Sequence, residues 1–121
     1  MSPKKITFRY ILDPSGEKIY KNITVYGTAY GGEDDTPKYI EEKAYQNALR
    51  NAIEKINGIH IQGSTLVINN ILKQDIILAN LLGTAQMISK EFPVRIFKGG
   101  NYEITCRASF KVPLIELVPE S

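Results

Sequence analysis

Reactive side chains are scarce in this chain of 121 residues, which has a single cysteine and a single histidine. Cys106 alone excludes an internal disulfide and a cysteine-based metal site. With His60 as the only imidazole, a histidine-rich metal cluster is excluded as well. His60 follows a helix end between isoleucines and reads as a structural or surface residue. No apolar run approaches the roughly 20 residues that span a bilayer, so no membrane-crossing helix is expected. Charge of one sign is also missing. The formal net charge is +2 and the basic residues are scattered, whereas nucleic acid or an anionic membrane calls for a massed positive surface. The opening Met1-Ser2-Pro3-Lys4-Lys5 has no apolar core behind its charges and is not a signal peptide. Either the protein is cytoplasmic, or Met1 heads a mature segment whose export signal has been removed.

What is present is patterning. Apolar residues at 43% and charged residues at 23% suit a soluble globular chain, and the length suits a single domain over 1–121. From Lys5 to Leu12 the sequence alternates, with Ile6, Phe8, Tyr10 and Leu12 on one side of an expected strand. Asp13-Pro14-Ser15-Gly16 has turn chemistry, and a second extended run, Lys18 to Tyr30, is expected to form a hairpin with the first. In that run Ile23, Val25, Gly27 and Ala29 share one face. A face that shrinks to glycine and alanine is expected to lie under a helix.

Thr36 reads as an N-cap with Pro37 at the first helical position, and Glu33, Asp34 and Asp35 suit the positive end of the dipole. The helix should run to about Asn57, with Gly58 stopping it. Ile40, Ala44, Ala48, Leu49, Ala52, Ile53 and Ile56 form its apolar stripe, while Glu41, Glu42, Lys43, Gln46, Asn47, Arg50 and Glu54 are expected to face water. Ile59 to Asn70 reads as a bridging segment of short extended pieces, with Ser64 capping a helix as the alternative. A second helix is expected from about Ile71 to Leu82, stopped by Gly83, and its apolar content implies burial or a partner.

Met87 to Lys98 and Tyr102 to Val112 form a hairpin across Gly99-Gly100-Asn101, with Pro93 marking a bulge or an edge. The core is expected over about 4–112, and 113–121 form an apolar, proline-broken arm. Leu114, Ile115, Leu117 and Val118 of that arm point to self-association. The order β-β-α-α-β-β gives an α+β fold in two layers, with two helices on one face of a mainly antiparallel sheet.

Three groupings invite a chemical reading. Glu33, Asp34 and Asp35 lack the ligand spacing of a calcium loop, and the helix dipole accounts for them. Gly27 to Gly32 lacks the spacing of a phosphate cradle, and the acids that follow would repel phosphate. Cys106 falls on the apolar side of the last strand and reads as core filler. On the opposite side of the sheet, Arg9, Tyr26, Tyr30 and Arg107 are expected to project together, among Thr24, Thr28 and Thr105. That face has three readings: a solvated sheet, a docking surface for protein, or a platform that stacks single-stranded bases. No catalytic, cofactor or metal residue is expected, and no small-molecule substrate is identified.

Several stretches follow one family pattern: Val25-x-Gly27-x-Ala29, a helix spaced by Ala44, Ala48 and Ala52, Gly58, Thr65-Leu66-Val67 with Asn70, Asp75-Ile76-Ile77, and Tyr102-x-Ile104 with Ala108. This pattern resembles the N-terminal domain of the bacterial flagellar assembly protein T and related small envelope lipoproteins. It covers roughly 23–112. It departs at Ala79 to Ala85, where the family has a Ser-Arg-Ser-x-Gly-Tyr-Ile segment, and in the added N-terminal hairpin. The resemblance implies a non-enzymatic, exported module for envelope assembly through protein–protein contact, periplasmic or at the outer envelope. The alternative is a nucleic-acid-binding sheet module in the cytoplasm.

Overall fold

The chain reverses at Asp13-Pro14-Ser15-Gly16, where the Asp13 carboxylate accepts from the Ser15 and Glu17 amides at 2.9 and 3.0 Å and Gly16 takes φ of 87°. The computed structural model describes residues 6–62, 65–68, 71–73 and 75–119, with side chains over 8–61 and 78–118. Two strands flank this turn, β1 (Ile6–Tyr10) and β2 (Tyr20–Gly31). They do not form the expected ladder with each other. A short hairpin at the turn joins Leu12 to Lys18, and beyond it the two strands part. Leu114 is the reason: its carbonyl accepts from Ile11 N–H and its own N–H donates to Ile19, so a later part of the chain enters between them.

Helix α1 (Pro37–Asn57) has the ends its sequence calls for. Thr36 accepts from the Tyr39 amide, Pro37 opens the first turn, and Gly58 closes the last at φ 63°. Three short strands follow, β3 (His60–Gln62), β4 (Thr65–Ile68) and β5 (Ile71–Lys73), then α2 (Asp75–Thr84). The second helix therefore starts later than the spacing suggested, because Ile71 to Lys73 pair with β4 instead. Gly83 does not stop it either. The Thr84 hydroxyl donates to the Asn80 carbonyl at 2.7 Å and the Ala85 amide to that of Leu81, so these two carbonyls near the end find donors without a left-handed glycine. Ser64 and Asn70 lie outside the described residues.

The long hairpin comes next, β6 (Gln86–Lys98) and β7 (Asn101–Pro113), joined by Gly99 and Gly100 at φ of 60° and 82°. Bulges fall between Met87 and Ser89 and between Glu91 and Val94, the latter at Pro93. The expected arm is a strand, β8 (Ile115–Pro119), which pairs antiparallel with β1. Its Ile115 is buried, and Leu117, Val118 and the preceding Leu114 are half-buried, so pairing with β1 takes up part of this apolar surface.

The result is a two-layer α+β fold with two helices and antiparallel pairing throughout the described strands, in sheets of order β2-β7-β6, β3-β4-β5 and β1-β8. Helix α1 lies across β2 and β7, and α2 touches α1, β4 and β7. Between the layers sit Val25, Ile40, Leu49, Ile53, Leu81, Ile104, Phe110 and Val112. Burying a branched or aromatic side chain of this size contributes roughly 1.5–3 kcal/mol. The small residues contribute by geometry. A Cβ on Gly27 would stand 2.8 Å from Ala48 Cα and nearer still to the backbone at Ala44 and Ala48, so only glycine admits the helix here. Ala29, Ala44, Ala48 and Ala52 are all buried in this seam, as their spacing predicted.

Candidate functional site

The β2-β7-β6 sheet has one face under α1 and one face open. Register sets what the open face shows: Tyr26 stands opposite Arg107, Thr24 opposite Ser109, Thr28 opposite Thr105 and Tyr30 opposite Glu103. The hydroxyl pairs are hydrogen bonded, Thr24 to Ser109 at 2.7 Å and Thr28 to Thr105 at 2.9 Å. Tyr26 and Tyr30 project freely, 57% and 68% exposed. The structure thus brings together three of the four expected residues. Arg9 is not among them: it belongs to the β1-β8 ladder and is bonded to Glu116.

Arg107 is also committed, donating to the Glu91 carboxylate at 2.8 Å. With Glu91 and Glu103 beside Arg107 and Lys111, the face carries mixed charge, whereas a track for a phosphate backbone concentrates one sign.

Strand β6 holds the feature that sequence reasoning left out. It is an outer strand, exposed along its length except at Phe92, and it carries Met87, Ile88, Val94, Ile96 and Phe97 into solvent. Phe97 is 62% exposed despite stacking on Tyr102 at 4.5 Å. On the helix side β6 is tied to α1 by charge: Arg95 bonds Glu41, and the Lys90 ammonium lies 4.9 Å from the centre of the Tyr45 ring. A groove of about 210 Å³ opens there, lined by Pro37, Arg95, Ile96, Phe97, Tyr102 and Ile104.

The other outer strand, β2, is dressed differently. Asn47 and Asn51 of α1 each donate a side-chain amide at 2.8 Å, to the carbonyls of Thr28 and Tyr26. A two-residue turn with two positive φ angles makes Lys98 and Asn101 a hydrogen-bonded pair. Alternation from that pair leaves the even-numbered residues of β7 to bond β2, so Tyr26 and Thr28 present their backbone groups at the outer edge. Asn57 does similar work at the β7–β8 junction, donating to Pro113 at 3.2 Å and accepting from the Ile115 amide at 3.0 Å. Glu54 accepts from the Ile61 amide at 2.8 Å. Asn47 and Glu54, expected on the water side, are thus half-buried and bonded to the backbone of neighbouring strands. Asparagine four residues from asparagine beside an alanine stripe is the signal that marks this edge in the sequence, since asparagine is a poor helix former.

Cys106 is fully buried, and burial raises its thiol above the ordinary value although Lys90 pulls the other way. Burial likewise raises the Tyr45 phenol, with the Glu42 carboxylate adding to it. His60 is exposed on β3. Among the described residues, no three histidine, cysteine, aspartate or glutamate side chains meet in a metal-holding arrangement, and no helix is long and apolar enough to cross a membrane. No protein-family model matches the chain, and no curated protein matches it.

Proposed function

We propose that this protein is a non-enzymatic assembly module that works through protein–protein contact, with β6 as its binding element. The observation that carries this reading is that Val94 and Ile96 on one face of β6, and Phe97 on the other, stand in solvent on an outer strand whose backbone no other described strand covers. An exposed apolar strand edge templates the addition of another strand, and backbone hydrogen bonds supply the affinity. Tyr26 and Tyr30 on the adjoining open face extend the surface with large, rigid contact area. The resemblance of residues 23–112 to the flagellar assembly protein T domain supports a place in the periplasm or at the outer envelope. Fractionation of the native cell checks that placement, and recovery in the cytosol contradicts it.

The assembly reading is tested with a photo-reactive phenylalanine analogue in place of Ile96, and of Lys38 on the exposed side of α1 as control. The expected outcome is a covalent adduct to a defined polypeptide at Ile96 and none at Lys38. Equal labelling at both positions, or none, contradicts it. The alternative, a sheet that stacks single-stranded nucleic acid on Tyr26 and Tyr30, predicts fluorescence anisotropy changes with labelled RNA that fall steeply with salt. The Arg107–Glu91 pair weighs against that reading, since it ties up the cation nearest Tyr26.

A further inference from the structure

We infer that the Val94–Lys98 segment of β6 pairs with the same segment of a second copy of this chain, antiparallel about a two-fold axis at Ile96. The two β2-β7-β6 sheets then become one continuous sheet. This rests on the reading of β6 as the binding element and names its partner.

The chain itself limits the pairing window. Pro93 has no amide to donate and sits in a bulge at one end, and the Gly99-Gly100 turn closes the other. Between them the register with β7 runs without interruption from Val94 opposite Thr105 to Lys98 opposite Asn101. The same alternation that exposes Tyr26 and Thr28 on β2 makes Val94, Ile96 and Lys98 the residues bonded to β7. Arg95 and Phe97 are left with N–H and C=O groups directed outward.

Register then selects the axis. Centred on Ile96, Arg95 of each copy faces Phe97 of the other, so every outward donor meets an outward acceptor. Centred on Arg95, two guanidinium groups would oppose each other. Centred on Phe97, the ladder would run into the turn after Lys98. An interface between identical surfaces must be complementary to itself, and the Ile96 register meets that condition. On the open face Ile96 meets Ile96, flanked by Val94 against the aliphatic stem of Lys98. On the helix side the Phe97 ring meets an Arg95 guanidinium already bonded to Glu41, a cation–π pairing beside the groove at Pro37 and Tyr102. No like charges face each other in this window.

The test uses the full chain with Ile96→Cys and, separately, Val94→Cys, since Cys106 is buried and stays a spectator. On the axis, the two residue-96 Cα atoms would be about 4.5 Å apart, within disulfide reach. Residue 94 of each copy would be roughly 13 Å from its mate, at about 3.3 Å per residue, and out of reach. Mild oxidation is expected to link the Ile96→Cys chains and leave the Val94→Cys chains single. Sedimentation is expected to give a dimer for the natural sequence. Ile96→Lys should weaken it at least about tenfold, with circular dichroism unchanged, by opposing two ammonium groups at the axis. A natural chain that stays monomeric at its highest attainable concentration overturns the inference, as does equal cross-linking at both positions or a dimer indifferent to Ile96→Lys. A monomer that still forms the Ile96 photo-adduct with a different polypeptide removes self-pairing and leaves the assembly reading in place. A monomer with no adduct removes both.

Discussion

The two outer strands of one sheet are treated in opposite ways. On β2 the carbonyls of Tyr26 and Thr28 are occupied by Asn51 and Asn47 of the helix above. On β6 the helix contributes Glu41 and Tyr45, which hold the side chains of Arg95 and Lys90, and among the described residues no α1 side chain is hydrogen bonded to the β6 backbone. Both strands have the length to recruit a further strand. The difference lies in how far α1 reaches: it sits over β2 and β7 because Gly27 and the alanines draw it there, and β6 stays outside its shadow. A helix seated off-centre seals one edge and leaves the other available, which is how a small fold can offer one directional contact without aggregating through both sides.

The comparison breaks most completely if the helix cannot sit. Gly27→Val forces side-chain atoms into the α1 backbone, and the expected loss is about 3 kcal/mol or more, read as a shift in the urea midpoint. A midpoint unchanged by this substitution would mean that the close approach does not hold the layers together. Next in size, the double variant Asn47→Ala, Asn51→Ala removes two hydrogen bonds, at about 1 kcal/mol each. It should also create concentration-dependent aggregation absent from the natural chain, because the β2 edge becomes available. Light scattering checks this, and a clean solution would show that the amides do not guard that edge.

Substitutions on β6 should do the reverse. Phe97→Ser is expected to cost the isolated chain about 1 kcal/mol, chiefly the stacking on Tyr102, while reducing association. The smallest effect concerns pH. The folded Cys106 thiol and Tyr45 phenol both titrate above their ordinary values of 9.0 and 10.0, chiefly because burial disfavours their anions. Their neutral forms therefore support the fold fully below those values. That support is lost as pH rises from about 9 through the folded values, where the unfolded chain gives up protons first. Urea midpoints measured at increasing alkaline pH should fall, and Cys106→Ala should flatten the part that begins near 9. A Cys106→Ala curve identical to the natural one contradicts the assignment.

Much of this architecture was legible from side-chain type and spacing. Thr36-Pro37 and Gly58 are local signals whose physics is complete within a few residues, and both helix ends fall where they indicate. Gly27 and Ala29 on one strand, with Ala44, Ala48 and Ala52 on one helix, announced a close seam, because small residues repeated at both periods have no other common purpose. Pro93 marked both a bulge and an outer strand. What stayed hidden depends on partners distant in sequence. The separation of β1 from β2 follows from Leu114, about a hundred positions away, and no local pattern announces that insertion. Ile71 to Lys73 read as the start of a helix, and pairing with β4 makes them a strand instead. Of the candidate surface, parity found Tyr26, Tyr30 and Arg107 on one face. It misplaced Arg9, because alternation tells which side of a strand a residue occupies and not which sheet the strand joins. The apolar side chains that β6 leaves in solvent escaped for a related reason: Pro93 pointed to an edge, but which side chains of that edge stay uncovered depends on how far the helix reaches in the assembled fold.

Amide hydrogen exchange followed by NMR at low and high protein concentration tests the asymmetry of the two edges most directly. The account predicts that protection at the Arg95 and Phe97 amides rises with concentration while the Tyr26 and Thr28 amides stay as they were. Protection that is flat at Arg95 and Phe97, or that rises on β2 instead, would contradict it.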